Sequence, residues 1–108
     1  MYKPRSTREI YIESLSVNSS SLQKHLEDRS VPQLEIKSIM DSVDKRYREG
    51  VDSIVEECDK DMMALERVPS PLRLFVDCIG EAQKSLNLSQ PARALLQQYT
   101  AAWEDWME

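Results

Sequence analysis

Nine apolar residues, Ile36, Met40, Val43, Tyr47, Val51, Ile54, Cys58, Met62 and Leu65, follow one another in steps of four, three and four, an eleven-residue period. The mean step lies near the roughly 3.6 residues of an α-helical turn, so the stripe stays on one face of a nearly straight helix. Lys45, Glu49, Asp52, Glu56 and Asp59 fall on the opposite face. Glu56 stands four residues before Lys60, the spacing of a helical ion pair. The pattern predicts one uninterrupted amphipathic helix over residues 32–67, roughly 54 Å long at ~1.5 Å per residue. Gly50 sits at the flank of the stripe, where it costs roughly 1 kcal/mol against alanine and reads as a weak point.

The flanking segments carry their own start and stop signals. Ser6-Thr7-Arg8-Glu9 has capping-box spacing and opens a first helix over residues 6–28, with Ile10, Leu15, Leu22 and Leu26 able to share a face. The poor helix formers Val17-Asn18-Ser19-Ser20-Ser21 suggest a break near residues 18–20, and weak alternation over residues 10–17 keeps a short strand as the rival. Ser30 and Gln33 repeat the capping-box spacing, with Pro32 in the first turn of the rod. Pro69 ends the rod, Ser70 and Pro71 open a third helix over residues 71–86, and Ser89 with Pro91 opens a fourth over residues 90–107. Little of the first half of the third helix is polar, which predicts burial between neighbours.

Short turns force antiparallel neighbours. The expected fold is therefore all-α: a small antiparallel bundle of about four helices built on one long central helix, with residues 1–108 forming a single domain. Folded about residues 68–69, this arrangement places Cys58 opposite Ile79 and so near Cys78. It leaves residues 34–47 with one assured neighbour, and an uncovered apolar stripe of that kind implies a partner. The simplest cover is a second copy of the chain, a homodimer through residues 34–47.

Composition narrows the functional classes. Hydrophobic residues make up 41% and charged residues 31% of 108, the balance of a soluble globular chain. Fourteen basic against nineteen acidic residues gives a net charge of −5, which provides no phosphate-neutralising field and makes nucleic-acid binding unlikely. The small basic start, Lys3, Arg5 and Arg8, is the exception. Neither a signal peptide nor an apolar run of membrane-spanning length is legible, so the expected location is cytoplasmic, away from any membrane.

Candidate chemistry is sparse. His25 is the single histidine, no Glu-x-x-His occurs, and two cysteines twenty residues apart lack zinc spacing. The acids from Asp52 to Asp61 lack EF-hand order and suit a solvated helix face, with Asp61 at its edge. A Cys58–Cys78 disulfide competes with two buried thiols in a reducing compartment. No Gly-x-Ser-x-Gly elbow or glycine-rich phosphate loop is present, so no enzyme activity, cofactor or metal is expected.

The remaining chemistry is apolar. Tyr99, Trp103 and Trp106, flanked by Glu104 and Asp105, have the composition of an interface hot spot, although the same spacing also suits indoles capping a core. The adaptable Met62, Met63 and Met107 fall near the same end. The residues expected to meet a protein partner are thus Leu34, Ile36, Ile39, Met40, Val43, Tyr47, Met63, Tyr99, Trp103 and Trp106. The implied function is non-catalytic protein binding, as an adaptor, chaperone-like or assembly factor. Small acidic helical proteins of this build include secretion-type chaperones and subunits of larger complexes, an analogy of fold alone. The alternative is a regulator of nucleic-acid transactions acting through a protein partner or the basic N-terminus.

Overall fold

A computed structural model describes residues 6–107, apart from the side chains of Met62 and Leu65. Four α-helices follow in order: α1 (Thr7–Asp28), α2 (Gln33–Lys60), α3 (Pro71–Ser85) and α4 (Gln90–Met107), with a 3-10 helix (Met62–Glu66) between α2 and α3. The chain is an all-α antiparallel bundle, as its periodicity predicts. Helices α1, α2 and α3 pack against one another in all three pairings, and α4 rests on α3 and α1.

The stripe of α2 forms the middle of the core. Ile36, Ile39, Val43, Tyr47, Val51 and Ile54 are buried against Tyr11, Leu15, Leu22 and Leu26 of α1 and Phe75, Ile79 and Ala82 of α3. The expected uncovered face over residues 34–47 is therefore corrected: Ile36, Ile39, Val43 and Tyr47 are core residues, and the basis for a homodimer through them is removed. The reason is α1. It runs unbroken through residues 18–20 and, with α3, encloses the first half of α2. Leu15 and Leu22, seven residues apart, are both buried, and this burial holds the polar stretch between them helical despite its weak propensity. Tyr11 takes the inward place expected of Ile10, which is half-exposed.

Tyr47 joins the three core helices. Its ring meets Phe75 of α3 edge-on, with centroids 6.2 Å apart. Its hydroxyl donates to the Tyr11 carbonyl of α1 at 2.6 Å. The Tyr11 hydroxyl in turn donates to the Pro69 carbonyl, just before α3. Burial first, and the neighbouring phenol and thiol after it, hold the Tyr47 hydroxyl protonated well above the usual phenol range.

The helix ends differ most from expectation. The predicted rod stops at Lys60, because Asp61 is extended (φ −148°, ψ 114°) and accepts from the Met63 N–H at 2.9 Å, capping the 3-10 helix. The Arg67 guanidinium, 2.6 Å from Asp61, is the main cause of a carboxyl pKa below the ordinary value, the Met63 N–H the second. This short carboxylate–backbone bond diverts the chain where the apolar period alone would continue it. Ser30 does not cap α2. It takes the left-handed conformation (φ 62°) that closes α1, with the Val31 N–H on the Leu26 carbonyl and the Ser30 N–H on the Glu27 carbonyl. That is a Schellman motif, here with serine where glycine is usual.

The diverted chain also separates the cysteines. Cys58 lies near the Tyr11 phenol, whereas Cys78 lies beside Tyr47 and Arg46, roughly three turns back along α2. Both are free thiols, and the expected opposition of Cys58 and Cys78 is corrected. Gly50 is a close-approach point rather than a mere weak spot, since a Cβ there would meet Leu74 Cδ1 at 2.9 Å.

Two substitutions test this description by chemical denaturation. Ser30→Gly relieves the left-handed serine and should raise the unfolding free energy by about 1 kcal/mol. Val43→Asp places a carboxylate in a fully buried site and should unfold the chain. A folded, monomeric Val43→Asp protein would instead return residue 43 to the surface.

Candidate protein-docking surface

Helix α4 is positioned at its first turn. Glu35, near the start of α2, accepts from both the Ser89 hydroxyl (2.6 Å) and the Ser89 N–H (3.1 Å). The same Ser89 oxygen accepts from the Ala92 N–H, and the Arg93 guanidinium donates to the Gln83 and Leu86 carbonyls at the end of α3. One carboxylate and one guanidinium thus fix the α3–α4 corner by satisfying groups that helix ends leave open.

From that corner the inward stripe of α4 is Ala92, Leu96 and Tyr99, and beyond Tyr99 α4 has no fully buried side chain. The rings continue outward instead. His25 of α1 meets Tyr99 with centroids 5.3 Å apart, Tyr99 meets Trp103 at 6.2 Å, and Trp103 meets Trp106 at 5.8 Å with planes 87° apart. The Tyr99 hydroxyl donates to Ser21 Oγ of α1 at 3.2 Å, tying the base of this series to the bundle. Burial decreases along it: Tyr99 is buried, Trp103 half-buried and Trp106 73% exposed. Glu104 and Asp105, both exposed, lie between the two tryptophans in sequence.

The other residues expected to meet a partner separate into two groups. Ile36, Ile39, Val43 and Tyr47 belong to the core, and Met40 is half-buried at its edge. Leu34 (84% exposed) and Met63 (58%) are at the surface, but Leu34 opens α2 and Met63 lies in the 3-10 helix beyond its far end, so that the length of α2, about 40 Å, separates their elements. The tryptophan end of α4 is the place where expected residues remain both clustered and accessible. Of the basic start, Arg8 is paired with Asp52 at 2.6 Å, while Lys3 and Arg5 lie outside the described residues.

The grooves offer little chemistry. Grooves run along the α2–α3 face, among them one of about 450 Å³ lined by Asp41, Ser42, Lys45, Arg46, Glu49, Ser85 and Leu86. Arg46 is held by Ser42 and Ser85. Cys78 borders the adjoining groove, but burial, with smaller effects from Asp77 and Glu81, pushes its pKa up to about 11, so the thiol is a poor nucleophile at neutral pH. Among the described residues, no three His, Cys, Asp or Glu side chains are grouped to hold a metal, and no helix is long and apolar enough to cross a membrane.

Sequence reasoning missed Tyr11 and the place of His25. Tyr11 stands four residues before Leu15, a helical spacing hidden by its hydroxyl. His25 stands four residues after Ser21, on the face that α4 covers. Comparisons with protein-family models, curated proteins and solved structures find no match for this chain.

The two indoles should differ in their effect on stability. Trp103→Ala should lower the unfolding free energy by about 2 kcal/mol, because it removes a half-buried ring between Tyr99 and Trp106. Trp106→Ala should change it by less than about 0.5 kcal/mol, as for an exposed side chain. Urea titration of both variants checks the difference.

Proposed function

We propose that the chain is a non-catalytic protein-binding module, an adaptor or assembly factor, whose docking surface is the Trp103 and Trp106 end of α4. The observation that carries this reading is the exposure of Trp106 on a support of rings anchored in the bundle. An indole left in water exposes a large apolar area. Seated edge-on against Trp103, it is held in a limited set of orientations, so little freedom remains to be lost on binding. Tryptophan is also among the residue types that most often dominate interface energetics.

Charge suggests the kind of partner. Glu104 and Asp105 flank the indoles, and the chain as a whole is acidic. A partner segment that presents an apolar pocket or side chain amid lysine and arginine residues meets both requirements. The charges would favour encounter and register, while the indole would provide most of the affinity. Direct binding to phosphate backbones is disfavoured by the same acids.

Affinity capture with the whole protein, followed by binding measurements on a purified captured partner, tests the reading. Trp106→Ala should weaken that complex by roughly thirtyfold, the effect of a hot-spot residue, while Leu34→Ala at the far end of α2 leaves it unchanged. Association should also slow as salt rises. A complex indifferent to Trp106→Ala, or one lost with Leu34→Ala instead, contradicts the proposal.

A further inference from the structure

His25 is the single histidine of the chain. Its Nε2 is the one buried side-chain nitrogen or oxygen, among the described residues, without a hydrogen-bond partner. The ring lies in the seam between α1 and α4, tilted 58° to the Tyr99 ring. That seam is thin. The Tyr99 hydroxyl bonds across it to Ser21, and α4 buries no side chain fully beyond Tyr99.

We propose that His25 is an acid-sensitive latch between α1 and α4, closed while the imidazole is neutral and released when it is protonated. A neutral imidazole carries one N–H, so the partnerless Nε2 can stand as a bare lone pair. A protonated ring carries two. The added charge would then sit on a ring whose Nε2 the seam shields from water, a desolvation penalty that the Leu95 carbonyl offsets only in part and that opening the seam removes.

The charged and polar surroundings act in both directions. On α1, Arg29 folds its guanidinium onto the His25 carbonyl at 3.2 Å and opposes a positive ring, while Asp28 favours one. On α4, the Leu95 carbonyl favours the charge and Tyr99 presents its neutral ring. Burial and Arg29 prevail, and the pKa of His25 is held below its ordinary 6.5. A native ring that resists protonation more than a ring in water gives the closed seam its full stability above pH 6.5. That contribution is lost as pH falls from there through the native pKa. Release frees Tyr99, on which Trp103 rests, from α1, whatever docks at Trp106, so the latch does not rest on the docking proposal.

A pH titration from about 7.5 to about 5, the range in which an ordinary carboxylate stays ionised while histidine titrates, tests the latch. Nuclear magnetic resonance follows the imidazole C–H signals, and acrylamide quenching of the tryptophans follows the seam. The expected native pKa lies below 6.5, and quenching should increase with the same midpoint. The closed-to-open ratio should fall about tenfold for each unit between native and ordinary pKa. His25→Phe keeps a ring against Tyr99 but takes up no proton, and its quenching should stay flat; His25→Gln provides a second non-titrating variant. A native pKa at or above 6.5, flat quenching in the parent protein, or the same increase in both variants overturns the proposal.

Discussion

Burial of the α2 stripe between α1 and α3 is the constraint on which the rest of the structure depends. A helix of 28 residues with one apolar face cannot expose that face to water at a cost of about 25 cal/mol per Å² and remain folded. Tyr47 is the point where the requirement is most exacting. Its ring needs the edge of Phe75 and its hydroxyl needs an acceptor, and Tyr11 provides one on α1. Three helices are thereby fixed relative to one another by a single side chain. The fourth is added at the corner where Glu35, Ser89 and Arg93 satisfy the ends of α3 and α4.

Helix ends then decide details that periodicity cannot. An apolar stripe determines which face of a helix turns inward, but carries no information about where a carboxylate will capture a backbone N–H. Asp61 ends α2 in that way, and the register against α3 shifts with it. The same applies to Ser30. Its sequence context offered a cap for α2, yet the backbone uses it to close α1, in a conformation serine rarely adopts. The all-α class, the four helices and the inward faces of α2 and α3 were therefore legible in the sequence. The continuity of α1 was not, because the burial that sustains residues 17–21 comes from other helices and outweighs local propensity.

The candidate site was legible in part, for the same reason. Trp106 and Trp103 are named by composition, and the structure leaves the first in water with the second as its support. Residues 36–47 carry an equally apolar pattern but lie inside the bundle, because an apolar stripe has the same sequence appearance whether a neighbour covers it or not. His25 was passed over as a lone histidine. Its significance lies in an unpartnered nitrogen opposite Tyr99, which depends on how α4 crosses α1.

The molecule accordingly divides into a three-helix core built around Tyr47 and a fourth helix whose last two turns extend beyond its buried stripe. Hydrogen exchange of the free protein at neutral pH, resolved by residue, tests that division most directly. Amides of α2 around Val43 and Tyr47 should exchange only through global unfolding, while those beyond Tyr99 in α4 exchange through cheaper local openings. Equal protection along the whole of α4, or rapid exchange across residues 36–47, would contradict it.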